Sequence, residues 1–201
     1  VGAWSAREMY TTGIAYSPII NMAASAGRDV WLKGGAVDYF SPEFRDVAER
    51  VAKQQCASRA SDPWLIGYFT DNELRWGPDW RSKESLLESY LKMPETSEGF
   101  RRATAFLKTR GRAPESPTDA DKDAFLETVA AEYGRVTSEA IRRYDTNHMV
   151  LGCRFAGYAS DAVLRALAPH FEVFSYHSYS PDAPLAALER VAKLTGKPTM
   201  V

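Results

Sequence analysis

The sequence predicts an α/β fold built around a parallel sheet. Short apolar runs alternate along its 201 residues with longer amphipathic stretches, an order typical of parallel strands joined by crossover helices. The runs are apolar on both faces, as strands are when helices cover one face and a packed core covers the other. The length suits one domain, or part of a larger one, with room for a substantial core.

Five apolar runs predict strands, because each is short, rich in β-branched or aromatic residues, and bounded by polar residues or helix breakers. Residues 1–4 predict the carboxyl end of one further strand. The five runs are residues 13–20, 64–69, 148–153, 171–176 and 198–201.

Four stretches predict helices. The first begins after Ser41, where an N-cap side chain precedes a proline at the first helical position and an early acid. Apolar residues recur at helical spacing over 125–141, and two shorter helices are expected over 161–167 and 185–194. Gly196 is a suitable C-cap for the last of them.

The interval between Glu73 and His148 is much longer than one crossover helix and its loops require. It contains several prolines between charged helical pieces. We therefore expect residues 1–201 to form a single domain that carries an insertion at 77–120.

Polar or aromatic residues follow several of the predicted strands at their carboxyl ends. Functional residues at the ends of many strands are typical of a (β/α)8 barrel, whereas a doubly wound sheet concentrates them at one Gly-rich turn. No GxGxxG motif occurs, so we predict a (β/α)8 TIM barrel, with the insertion after one of its strands. A doubly wound sheet that binds a small metabolite is the distant alternative. The strand-end residues are Trp4-Ser5, Asn21-Met22, Asp71-Asn72-Glu73, Arg154-Phe155 and His177-Ser178-Tyr179.

Charge and composition exclude several classes of function. Lys and Arg number 25 against 26 Asp and Glu, with both signs interspersed, so the chain lacks the basic surface that nucleic-acid binding needs. No apolar stretch approaches the roughly 18–20 residues that span a bilayer, and no polybasic run suggests membrane contact. Two cysteines and three histidines without metal-ligand spacing predict no metal and no cofactor.

Glu73 is the strongest candidate for a catalytic residue. A carboxyl group at a strand end, walled by Trp76 and Tyr68, would be desolvated and could keep a proton for a leaving group. Asn72 beside it offers a neutral donor and acceptor for a sugar hydroxyl. The structural alternative is that Glu73 caps a helix or pairs with Arg75.

Other strand ends supply candidate substrate-binding residues. His177 and Tyr179 are two positions apart, so on an extended segment both would point into one pocket. Arg154 is a fixed positive charge that could orient a carboxylate. Trp76, in the loop after Glu73, and Trp4, at a strand end, could provide platforms for the apolar faces of sugars.

The segment Gly67–Glu73 resembles the fourth-strand motif of the large clan of retaining glycoside hydrolases built on (β/α)8 barrels. In that resemblance Asn72 binds substrate and Glu73 is the acid/base. His177-Ser178-Tyr179 is similar to the His-x-Tyr sequence that the clan often carries on strand six. Within the clan, the chain most resembles the β-agarase group, in residues 1–5, 13–22, 39–44, 71–77 and 151–155.

The resemblance implies a hydrolase that cleaves β-linked poly- or oligosaccharide by double displacement, secreted or periplasmic. It numbers the predicted strands roughly two to seven, so the fold expected is a partial (β/α)8 TIM barrel with a helical insertion after strand four. It also implies a nucleophilic glutamate at the end of strand seven, which begins at Pro198, so we expect a truncated chain that is inactive alone. A non-catalytic or degenerate carbohydrate-binding barrel is the alternative. The substrate-binding residues expected are Asn72, His177, Tyr179, Arg154, Trp76, Trp4 and Asn21.

Overall fold

A computed structural model describes residues 1–27, 34–157 and 159–201. The described helices are α1 Met22–Ala26, α2 Pro42–Cys56, α3 Leu86–Leu91, α4 Glu98–Thr109, α5 Asp119–Tyr144, α6 Asp161–Leu167 and α7 Leu185–Thr195. The strands are β1 Gly67–Asn72, β2 Met149–Ala156, β3 Phe174–His177 and β4 Thr199–Met200. Short 3₁₀ turns cover Arg7–Thr11 and Ala57–Arg59.

The four strands form one parallel sheet in the order β1-β2-β3-β4. Each strand follows its neighbour in the chain, and at least one helix connects each pair, as parallel pairing requires. The predicted α/β fold with a parallel sheet is therefore confirmed. All carboxyl ends meet at one edge of the sheet.

The prediction of a strand at 13–20 is wrong. Among the described residues this segment forms two isolated parallel bridges, Tyr16 with Leu65 and Ile19 with Phe69, and no regular strand. The segment still runs along β1, since the N–H of Phe69 donates to the Pro18 carbonyl at 2.9 Å. Pro18 itself has no N–H to donate in return, and this interrupts the ladder.

Three strands continue further than their apolar runs predicted. Asn72 ends β1, Arg154 lies within β2, and His177 ends β3. The prediction ended each strand too early because these polar side chains interrupt the apolar runs. The backbone pairing nevertheless continues, with Arg154 paired to Asn72 on one side and to Ser175 on the other. These candidate site residues are thus held by the sheet.

Local signals fixed two helix ends as predicted. The Ser41 side chain accepts a hydrogen bond from the N–H of Phe44 at 3.0 Å, with Pro42 at the first helical position. Gly196 closes α7 in the left-handed conformation, with φ of 68°. Residues 77–120 contain α3 and α4 and end as α5 begins.

The main core lies between the sheet and the helices. Tyr133 of α5 is fully buried in it, with its ring centroid 5.1 Å from that of Tyr39 and 5.5 Å from that of Trp76. Phe69 of β1 and Leu151 of β2 belong instead to a smaller cluster, because neighbouring side chains of a strand point to opposite faces of the sheet. That cluster consists of Ala3, Phe69, Leu151 and Val173.

Two features are absent from the described residues. No described helix has both the length and the apolar character needed to cross a membrane. Within the same ranges, no group of three or more His, Cys, Asp or Glu residues could hold a metal ion.

Candidate active site

Four polar side chains meet at the carboxyl ends of β1, β2 and β3. His177 Nδ1 lies 2.5 Å from Oε1 of Glu73, and Arg154 Nη1 donates to Oδ1 of Asn72 at 3.2 Å. The parallel register places Asn72 opposite Arg154, while Ala156 pairs with His177. Residues distant in sequence are therefore brought together by strand pairing.

The contact between Glu73 and His177 shares one proton. A protonated Glu73 donates to the Nδ1 lone pair of a neutral imidazole, or a charged carboxylate accepts from an Nδ1–H group. The side chain of Glu73 is 23% exposed and that of His177 is 8% exposed, so the pair is shielded but open to a ligand on one side. The carboxyl group of Glu73 is therefore oriented by His177 and accessible to a bound molecule.

The other ring nitrogen of His177 is also available. Nε2 is buried, and no described residue hydrogen-bonds to it. Because a buried polar atom without a partner is costly, a sugar hydroxyl or a water molecule at this point would be favoured.

Glu73 does not form an ion pair with Arg75, which was one of the two structural alternatives. Arg75 turns away from the site and donates to the carbonyl of Glu84 at 2.5 Å and to Oγ of Ser89 at 2.6 Å. Its role is to hold the loop that precedes α3.

Tyr68 does not wall Glu73, which corrects the sequence-based expectation. Its fully buried hydroxyl donates instead to Asp145 at 2.6 Å, and Asp145 also contacts His148 Nδ1 at 2.7 Å. Tyr68 lies near the amino end of β1, five positions before Glu73, so its ring belongs to a buried network away from the site.

Glu73 and Asn21 have left-handed backbones, with φ of 48° and 55°. They are the two described non-glycine residues with positive φ, a conformation that costs roughly 1–2 kcal/mol and tends to occur at functional sites. The N–H of Glu73 donates to the carbonyl of Arg154 at 2.8 Å, which fastens the strained residue to β2. Hydrogen bonding to β2 therefore stabilises the left-handed backbone of Glu73.

Asp71 supports the segment that carries Asn21, a role that sequence analysis did not assign. Its buried carboxylate accepts hydrogen bonds from the N–H of Ala23 at 2.9 Å and from the hydroxyl of Tyr133 at 2.9 Å. Burial raises the pKa of Asp71 to about 7, although these donors and the N–H of Ala24 oppose the rise. The sequence signal was limited to a carboxylate inside an otherwise apolar strand.

Asp71→Asn is expected to change how stability depends on pH. An unfolded Asp ionises at about pH 3.9, whereas folded Asp71 keeps its proton up to about pH 7. Between these values the folded state binds more protons, so this group makes the wild-type protein less stable as pH rises. The stability of the variant relative to wild type should therefore increase by about 2–4 kcal/mol over that interval. Urea unfolding at several pH values measures it, and a constant difference would contradict the assignment.

Two cavities open beside the strand ends. The larger, of about 1000 Å³, is lined by Trp4, Asn21 and Asn72. The smaller, of about 540 Å³, is lined by Glu73 and Trp76. Asn72 and Glu73 are neighbours in sequence but line different cavities.

The aromatic candidates differ in how accessible they are. Trp4 is 64% exposed, so its indole could stack on a sugar ring. Trp76 is half-buried with its ring edge against Tyr133, and no described residue hydrogen-bonds to its buried Nε1. Tyr179 is 92% exposed, and its ring centroid lies 6.2 Å from that of His177. The sequence analysis expected His177 and Tyr179 to point into one pocket because both would lie on an extended strand. Since β3 ends at His177, this argument does not apply to Tyr179.

Comparison with known proteins points to one group. No protein-family model matches the sequence. β-Agarase B of Vibrio sp. (strain JT0107) is 27% identical in an alignment that covers 79% of this chain and 20% of that protein. The agarase AgWH50C is also 27% identical and superposes with a TM-score of 0.78 over 100% of this chain and 32% of its own.

An exo-β-agarase of 24% identity shares the fold, with a TM-score of 0.76 over 99% of this chain and 31% of that protein. The chain thus spans between about a fifth and a third of the length of these relatives. The resemblance expected from the residues around Glu73 is confirmed. By sequence and by structure, the chain is related to the β-agarase group of glycoside hydrolases.

Proposed function

We propose that the chain carries the acid/base side of an active site that cleaves β-linked, agarose-like poly- or oligosaccharide with retention of configuration. The observation that carries the proposal is the contact between Glu73 and His177, with Asn72 beside it at the same sheet edge. Relatives named as agarases support the substrate class.

The scaffold of this site is proposed to be part of a (β/α)8 barrel, roughly strands two to seven. The strand order follows the chain, and the segment around Tyr16 bridges β1 on the side away from β2. A barrel adds strands in this way, whereas a doubly wound sheet reverses its order at a switch point. Residues 1–201 would then form one incomplete catalytic domain, with 77–120 as an insertion after strand four, which is β1.

In the first chemical step, protonated Glu73 gives its proton to the glycosidic oxygen while a carboxylate attacks the anomeric carbon. The bond to the leaving group breaks, and a glycosyl-enzyme ester forms. In the second step, the Glu73 carboxylate takes a proton from water, which attacks the same carbon and releases the nucleophile. His177 would donate from Nδ1–H to Oε1 of Glu73 in both forms, which leaves Oε2 to carry the transferred proton.

Asn72 is proposed to bind the hydroxyl next to the anomeric carbon. Because Arg154 donates to its Oδ1, the amide NH₂ of Asn72 remains free to donate to the sugar. Trp4, Asn21 and Trp76 would contact the glycan from the two cavities, and Tyr179 would close over it from outside.

The nucleophile is proposed to follow β4. Retaining chemistry needs two carboxyl groups about 5–5.5 Å apart. In the β3–β4 register, Phe174 pairs with Thr199 and Ser175 with Met200, so a residue following Val201 would be level with His177. A carboxylate there would face Glu73 across the site.

The test is hydrolysis by the protein expressed from its complete gene. Agar-derived oligosaccharides and other β-glycans are supplied, and NMR follows which anomer of the new reducing end forms first. We expect hydrolysis of the agar-derived substrates with the β-anomer first. An α-anomer would contradict the retaining mechanism, and tight binding without turnover would indicate a carbohydrate-binding protein instead.

A further inference from the structure

The backbone carbonyl of Glu73 accepts a hydrogen bond from an arginine side chain. Arg81, from the loop that follows β1, donates from Nη2 to this oxygen at 3.0 Å. On the other side of the same residue, the N–H group donates to the carbonyl of Arg154. Both polar groups of the strained residue are therefore held, one by the sheet and one by a side chain.

Arg81 is itself fixed in place. Its side chain is 4% exposed, and its Nε and Nη2 both donate to Oδ2 of Asp79, at 2.8 and 2.7 Å. The other oxygen of Asp79 accepts from the N–H of Arg81 at 2.7 Å and of Ser82 at 3.2 Å. Burial raises the pKa of Asp79, but the bonds from Arg81 outweigh this and hold the pKa below its usual range. The pair is thus charged and oriented by two hydrogen bonds between the side chains.

The surroundings leave Arg81 little freedom to move. A Cβ placed on Gly34 would come within 2.8 Å of Cβ of Arg81, so the two segments are in close contact. On the cavity side, the guanidinium carbon lies 5.3 Å from the ring centroid of Trp80, which is 75% exposed. Arg81 therefore joins a loop that lines the cavity to the backbone of Glu73.

We propose that Arg81, held by Asp79, is a positioning residue that keeps Glu73 in the left-handed conformation needed to aim its carboxyl group. This inference rests on the proposed acid/base role of Glu73. An L-residue relaxes toward extended or right-handed backbone when nothing holds it, and that rotation would carry the carboxyl group away from His177. Arg81 touches no reacting atom, so it acts through Glu73.

The test compares two substrates in the protein expressed from its complete gene. Protonation by Glu73 matters for a natural glycan, whose leaving group is a poor one, and little for a dinitrophenyl glycoside of the same sugar. Arg81→Met should lower kcat on the glycan by about 10–100-fold with little change in KM, because the acid is misplaced. On the dinitrophenyl glycoside the glycosylation rate, measured as the burst of dinitrophenolate, should stay within about twofold of wild type.

Two further variants sharpen the comparison. Asp79→Asn should show the same dependence on leaving group with a smaller loss, since Arg81 keeps its bond to Glu73 but loses its charged anchor. Arg101→Met is the matched control, because Arg101 is exposed on α4 and pairs with Glu98 away from the site. It should leave hydrolysis of both substrates unchanged.

Equal losses on both substrates for Arg81→Met would overturn the inference, since they indicate a general disturbance of the fold. Unchanged hydrolysis of the glycan would overturn it as well. If the wild-type protein hydrolyses neither substrate, the proposed function itself is wrong and the inference falls with it, which separates the two failures.

Discussion

Glu73→Gln is expected to lower kcat on the natural glycan by about 10²–10⁴-fold in the protein expressed from its complete gene. Glutamine has nearly the same shape and can still accept a hydrogen bond from Nδ1 of His177, but it cannot donate a proton to the departing oxygen. Steady-state hydrolysis of an agar-derived oligosaccharide measures the effect. Glu98→Gln, at a partly exposed position on α4, is the matched control and should retain full activity.

Glu73→Ala separates an acid/base from a nucleophile. With an activated aryl glycoside the first step needs no acid, so the glycosyl-enzyme should still form and then accumulate. Azide needs no general base to attack it, so added azide should accelerate turnover and yield a β-glycosyl azide. Wild-type rates from Glu73→Gln, or no azide product from Glu73→Ala, would contradict the assigned role.

Gly152→Ala is expected to have the largest effect on stability, a loss of about 3 kcal/mol or more in the free energy of unfolding. Gly152 has φ of 72°, and a Cβ at this position would lie 2.2 Å from Cδ2 of Phe171. The ring is fully buried in the main core, so it has no room to move aside. Chemical denaturation of the 201-residue chain and the variant measures the difference.

Gly111→Ala controls for backbone conformation alone. Its φ of 66° is almost the same, but no atom lies within 4 Å of the added Cβ. We expect a loss of about 1 kcal/mol, from the left-handed conformation only. If the two substitutions cost the same, the close packing of Phe171 on Gly152 is not what restricts this position.

Local signals in the sequence predicted much of the framework. The N-cap at Ser41 and the C-cap at Gly196 depend on adjacent residues, so they were visible without the fold. The approach of His177 to Glu73 was also predictable in outline, because the carboxyl ends of parallel strands share an edge. By contrast, Pro18 weakened a strand that its apolar neighbours favoured.

Long-range contacts account for what the sequence did not predict. Arg81 reaches the carbonyl of Glu73 only because a turn around Asp79 points it back to the sheet, and no periodic pattern indicates such a turn. Asp71 accepts a hydrogen bond from the N–H of Ala23, 48 positions earlier in the chain. The segment that places Ala23 beside β1 is not a regular strand, so the sequence pattern did not predict this contact. The direction of the Tyr68 ring likewise depended on a distant partner.

Asn72 and Glu73 line different cavities, and this arrangement affects the path that a bound polymer would take. Leu74 lines both cavities, so a bound glycan would cross over this residue, with one portion in each cavity. The bond to be cut would lie at the crossing. In the proposed reaction each fragment would then have its own exit, and the departing piece would leave while its counterpart stayed esterified to the nucleophile.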